Sequence, residues 1–293
     1  PHNAQKNLPF PCEIIKWQGE SEDFPLKALE GTEALIHLAG ESIGEGRWST
    51  QRKKAIENSR VLGTRMIVEA LKKQKKQGTL TLRSFISTSA IGYYGDNDSE
   101  TLTENSLAAH DFLASVCQKW EDEAKQAEKL GIRVAIPRVG IVLSNQGGAL
   151  DKMLPIFSKN IGGVIGSGKQ WMSWIHHQDL TNLYIYLLEN QNLQGVFNAT
   201  APEPVTNKIF SQTLAKSMGN FLFAPVPAIA LKIMLGEMSA LVIPGQKVSS
   251  QKIVNGGFQF HYPNLEKALE EICSPLKKKK KKLVSEQWIN QKR

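Results

Sequence analysis

The chain has 293 residues, 41% of them hydrophobic and 22% charged, which allows one large domain or two modest ones with ample core. Six of its eight net positive charges fall in one unbroken lysine run, residues 277–282, with no aromatic residues between them. The basic balance therefore belongs to a solvated segment, and nucleic-acid binding is not expected.

Cys12, Cys117 and Cys273 form no CxxC pair, which predicts a reducing, cytoplasmic setting and no structural zinc. No secretory signal is present. The most apolar stretch, "FLFAPVPAIALKIMLGEMSALVIPG", is interrupted by Pro225, Pro227, Lys232 and Glu237. It is too broken for a membrane span and reads as a core or lid helix.

In chain order, "CEIIKW" is a short β-rich run, and "EALIHLAG" is an apolar run closed by glycine, as in a parallel strand buried on both faces. "STQRKKAIENSRVLGTRMIVEALKKQKK" follows as a helix capped by Ser49 or Thr50, with Ile56, Leu62, Met66, Ile67 and Leu71 on one stripe. "RSFISTSA" is the next strand, and "AHDFLASVCQKWEDEAKQAEKLG" is a helix ending at Gly131. "IRVAIPRVGIVLS" is a further strand with its exit loop. This alternation predicts an α/β fold, an open Rossmann-like parallel sheet covered by helices.

After Ser144 the pattern loosens into shorter helices and strands, which predicts a smaller, mostly helical second lobe. The expected boundaries are residues 1–145 for the sheet domain and 146–273 for the second lobe, which may lend the sheet a strand. Residues 274–293 are a lysine-rich linker and the start of a possible further domain. The polar leader "PHNAQKNLPF" and the tail read as cuts through a longer polypeptide.

Seven motifs occur in order: "HLAGESI", "RWSTQRKKAIENSRVLGTR", "STSAIGYYG", "VCQKWEDEA", "PRVGIVLS", "GSGKQWMSWIHHQDL" and "GVFNATAPEPV". Together they resemble the extended short-chain dehydrogenase/reductase superfamily. More closely, they resemble its NAD-dependent epimerase/dehydratase-like subfamily carrying a C-terminal domain of unknown function of the DUF1731 type. The resemblance covers residues 12–273. The terminal "SEQWINQKR" faintly resembles the first strand of a fused START-like domain.

The resemblance implies NADP or NAD as cofactor and a small-molecule substrate between the sheet's carboxyl edge and the second lobe. The family's glycine-rich turn, which seats pyrophosphate at a helix N-terminus, is missing before "CEIIKW". The first strand, first helix and second strand are thus expected to be lost or to lie outside this chain. "ALIHLAG" would then lack a neighbour, and the fragment would expose an apolar edge, fold poorly and hold cofactor weakly or not at all. The remaining cofactor wall, by the same resemblance, is Leu38, Ala39 and Gly40 at one strand exit, Arg60, Ser87 and Thr88, and Val139 with Gly140 against the nicotinamide.

In the superfamily a tyrosine with a lysine four residues on moves the proton, and a serine holds the substrate oxygen. Ser89 matches the serine, but the tyrosine and lysine positions are Leu113 and Cys117. Lys119 lies about 200° round the helix from the lysine register. Tyr93 is the best remaining proton donor, with Tyr94 beside it, and Cys117 would need a nearby cation to react. Two functions follow: an NAD(P)-dependent oxidoreductase or epimerase with an atypical site, or a non-catalytic NAD(P)-binding or scaffolding module.

"WIHHQDL" offers His176, His177 and Asp179, but no further ligand stands nearby in sequence, so no metal is expected. His176 and Asp179 are expected to bond backbone groups at a helix start. "DSETLTEN" reads as an acidic surface turn.

Overall fold

A computed structural model of the chain describes residues 11–274. The leader, the lysine run and the START-like segment lie outside the described residues. Strand β1 (Ala34–His37) leads to the long helix α1 (Thr50–Gln77), followed by β2 (Ser84–Ser87), β3 (Ser89–Ala90) and β4 (Asn97–Leu102). Helix α2 (Phe112–Lys125), β5 (Arg133–Val139) and β6 (Ile141–Leu143) complete the first part.

The second part contains α3 (Gly148–Ser158), β7 (Trp171–Met172), β8 (Trp174–His176), α4 (His177–Glu189), β9 (Gly195–Ala199) and β10 (Val205–Thr206). It continues through α5 (Asn207–Met218), α6 (Ala228–Leu235), β11 (Gln246–Val248), α7 (Gln251–Asn255) and a last helix α8 over 265–274. Among the described residues, no helix is long and apolar enough to cross a membrane.

The main sheet runs β1–β2–β5–β9, all parallel, with β3 continuing beside β5 after a break at Thr88. Alternation along the strands divides the core. Phe85, Val134 and Ile136 face α1 and α2, where Ile67 and Leu71 close on them. Ile86 and Ala135 face the opposite side and pack with Leu183, Leu187 and Phe197. A third cluster, around Leu150, Leu154, Trp174, Phe210 and Leu269, holds the second part together.

The start of α1 matches expectation, while α2 stops at Lys125 and a 3-10 turn carries the chain to Gly131, which lies in the left-handed region at φ 80°. Ser49 Oγ accepts from Arg52 N at the start of α1, and Gly78 closes the helix in the left-handed region at φ 69°.

Three local expectations need correction. Residues 12–17 form no strand, because no strand among the described residues pairs with them. They are held instead by Trp17, which packs edge-on to Phe24 at 4.9 Å in the cluster beneath α1. β1 is not buried on both faces: Ile36 is 37% and Leu38 62% exposed, since its far edge has no strand partner among the described residues. Residues 97–102 are strand rather than turn, because β11, distant in sequence, pairs with them in parallel.

Candidate functional site

Parallel strands bring their carboxyl ends to one edge, where the loops carry the polar groups. His37 and Ser87 are register partners on β1 and β2, and Ser89 and Ala90 pair with Arg138 and Val139 on β5. Residues 38–40, 87–89 and 139–140 therefore leave the sheet on three adjacent strands. Val139 also pairs with Ala199, and Gly140 N donates to the Ala199 carbonyl at 3.1 Å.

The glycines at this edge are constrained by neighbours. A Cβ on Gly40 would lie 3.1 Å from Arg60 Cζ, so the guanidinium fills the space a side chain would take. Arg60 also donates to the Glu41 and Ile56 carbonyls, and its charge is partly desolvated, which lowers its pKa from the ordinary value. A Cβ on Gly140 would meet the Ser173 carbonyl at 2.6 Å and Thr200 Cγ2 at 2.8 Å. Ser87 Oγ and Thr200 Oγ1 are buried without hydrogen-bond partners. Buried hydroxyls without partners are uncommon in folded proteins. With Arg60, they suit a ligand rich in hydroxyl and phosphate oxygens.

Ser89 is oriented differently from the family expectation. It is 1% exposed, and its Oγ donates to Glu121 Oε1 at 2.8 Å. Glu121, also buried, takes both Nε and Nη2 of Arg138, at 2.7 and 2.9 Å. Arg138 Nη1 donates to the Tyr94 hydroxyl at 2.9 Å, and that hydroxyl donates to Asn198 Oδ1 at 2.7 Å. Burial works against the Arg138 charge, but the Glu121 carboxylate outweighs it and holds the guanidinium pKa above its ordinary value. The single Ser89 proton is committed to a carboxylate that only accepts, so toward any other group Ser89 is an acceptor.

Tyr93 is half-buried with its ring 3.4 Å beneath the Arg138 guanidinium carbon, and it lies edge-on to Tyr94. Burial pushes the Tyr94 phenol up to about 12 against the pull of Arg138. Thr88, on the opposite face of the strand from Ser89, shares a 2.5 Å hydrogen bond with the Tyr184 hydroxyl, itself raised by burial to about 12.

Leu113 and Cys117, the expected tyrosine and lysine positions, pack against the turn at Gly92. Burial first, then the Glu121 charge, push the Cys117 thiol up to about 12, so it is no nucleophile at neutral pH. Lys119 turns away to Glu57 on α1 at 2.6 Å.

Sequence reasoning missed Glu121, Arg138, Asn198 and Tyr184. The available signal was Arg138 itself, a charge inside an apolar strand that must find a partner.

His176 caps α4, with Nδ1 accepting from Gln178 N at 3.2 Å, while Nε2 lies 3.1 Å from Glu271 Oε2. Tertiary structure thus brings a third potential metal ligand to His176 and His177. However, Nδ1 is already an acceptor, so Nε2 carries the proton and donates to Glu271. No lone pair of His176 is left for a metal. Asp179 accepts from His261 N and Tyr262 N, bonding backbone of the C-terminal segment rather than of its own helix. An open groove of about 420 Å³ runs between α4 and residues 257–261, apart from the strand-exit residues.

An open parallel α/β sheet with polar groups gathered at its carboxyl edge is the frame of a nucleotide-binding protein. The chain belongs to the NAD dependent epimerase/dehydratase family, whose model matches residues 20–199, and a domain of unknown function, DUF1731, matches residues 226–272. It is 39% identical to the chloroplastic "epimerase family protein SDR39U1 homolog" of Arabidopsis thaliana, over 90% of this chain and 74% of that protein. It is 36% identical to the epimerase family protein YfhF of Bacillus subtilis, over 93% and 87%. The crystal structure of human epimerase family protein SDR39U1 with NADPH superposes with a TM-score of 0.77 at 29% identity, covering 87% of this chain and 84% of the human one.

Proposed function

We propose that this chain holds NADPH or NADH at the carboxyl edge of its sheet and works as an NAD(P)-dependent oxidoreductase or epimerase with an atypical proton site. The observation that carries this reading is the adjacency of residues 38–40, 87–89 and 139–140 on three neighbouring parallel strands, with Arg60 closing against Gly40. The human relative crystallised with NADPH supports it.

In this reading Leu38, Ala39 and Gly40 wall the cofactor on the β1 side and Arg60 supplies the cation for its phosphate or ribose. Ser87 and Thr88 line the middle, and Val139 and Gly140 meet the nicotinamide side. When bound, the cofactor supplies hydride exchange. Tyr93 then offers the hydroxyl that moves a proton, and Ser89, fixed as an acceptor by Glu121, takes a hydrogen bond from a substrate hydroxyl. The substrate is a small molecule between the edge and the second part, and the setting is cytoplasmic.

One observation favours a second reading, a non-catalytic NAD(P)-binding or scaffolding module. Ser89 is sealed in the Glu121–Arg138 network while Leu113 and Cys117 replace the proton relay. Fluorescence titration of the full-length protein with NADPH, followed by hydride exchange over a panel of carbonyls and nucleotide sugars, separates the two. Turnover abolished by Tyr93→Phe supports the enzyme, tight binding without turnover supports the module, and no binding by the wild type sinks both.

A further inference from the structure

Helix α6 reads AIALKIML, yet none of its residues is buried: Ile229 is 73%, Ile233 75% and Met234 61% exposed. An apolar surface helix of this kind calls for a counter-surface. The segment that carries it is anchored at both ends and only tethered between them. At its start, Val226 N donates to Val164 O at 2.7 Å, and Gly166 N to Val226 O at 2.9 Å. At its end, Gly245 N donates to Asp96 Oδ1, and Asn97 N to Gly245 O, both at 3.0 Å, just after the Tyr93–Tyr94 turn.

Between these anchors two polar contacts reach the connection from β1 to α1 and the first turn of α1. Lys53 Nζ lies 2.6 Å from Glu237 Oε2, and Arg47 Nη2 donates to Met234 O at 3.3 Å. The same connection leaves β1 through Gly40 and is held by Arg60 at the Glu41 carbonyl. Pro225 and Pro227 precede the helix, Gly236 follows at φ 58° where an added Cβ would meet open space, and Pro244 precedes Gly245. These residues punctuate the chain where a hinge needs it.

We propose that residues 228–241 are a strap across the carboxyl edge, latched by Lys53–Glu237 and the Arg47 contact, which opens about its two anchors to admit ligand and closes its apolar face over it. The latch follows from the contacts alone. The strap's role as cover for a dinucleotide rests on the proposed cofactor reading.

Hydrogen exchange by mass spectrometry tests the two parts separately. Lys53→Glu and Glu237→Lys should each speed exchange in 228–241 by roughly two- to fivefold, the scale of one partly exposed ion pair. The double variant should restore it, and sheet peptides 84–90 and 133–139 should keep their wild-type rates. Unchanged strap exchange in both single variants would overturn the latch. So would no recovery in the double variant, or an equal rise in strap and sheet. With NADPH added to the wild type, slowed exchange in 228–241 supports the cover role, and binding without any change in the strap overturns it. Failure of NADPH to bind counts against the cofactor reading and leaves the latch to be judged by the charge swap.

Discussion

His37 ends β1 with its Nε2 3.0 Å from Thr64 Oγ1, and the Thr64 proton goes to the Arg60 carbonyl, so the ring is the donor. Burial, with the Arg60 charge adding to it, depresses its pKa from 6.5 to about 4. A base depressed in the fold binds fewer protons there than in the unfolded chain. Its contribution is therefore complete above pH 6.5 and is lost as pH falls toward 4. Between pH 7 and pH 5 this costs about 2 kcal/mol. Urea melts should show a drop of that size in the wild type that is missing in His37→Gln, and equal drops in both proteins would refute the assignment.

The Glu121–Arg138 pair makes a second prediction at this scale. Both side chains are at most 3% exposed, so removing one strands the other. Glu121→Gln should lower unfolding stability by about 3–5 kcal/mol, while the apolar double change Glu121→Leu with Arg138→Met should recover much of it. A loss under 1 kcal/mol for the single change would show the pair to be dispensable.

At the scale of elements, helix ends were legible because caps are local chemistry. Ser49 before an apolar-striped helix, and Gly131 after the next one, are read within one turn of chain. Ser49→Ala should destabilise the protein by about 1 kcal/mol through the lost bond to Arg52 N, measured as a shifted denaturation midpoint with an unchanged slope. Strand assignment was less local. "CEIIKW" has strand composition but no partner among the described residues, and "NDSETL" has turn composition but pairs with β11, more than a hundred residues away. Strand propensity expresses fit to a neighbour, and the neighbour is a tertiary fact.

At the scale of the molecule, the far edge of β1 has no strand partner among the described residues and carries exposed Ile36. Exposed apolar strand edges drive association. Ile36→Lys should reduce concentration-dependent light scattering on warming while leaving the secondary structure seen by circular dichroism unchanged. Scattering equal to wild type would show that this edge is not the sticky surface. The second part joins the first at the opposite edge: β9 completes the sheet beside β5, so the strand exits carrying Val139, Gly140 and Thr200 lie against one another.

The sequence by itself determined the parallel α/β class, the main-sheet strands β1, β2 and β5 with their exits, and the cap that starts α1. All of these follow from periodicity and from short-range turn chemistry. Only the tertiary structure decided what those exits touch. Arg60 stands against Gly40, Ser89 gives its proton to Glu121, and Arg138 lies over Tyr93, because each partner comes from an element far away in the chain. A hydroxyl's role depends on where its one proton goes, and no spacing along the chain records that.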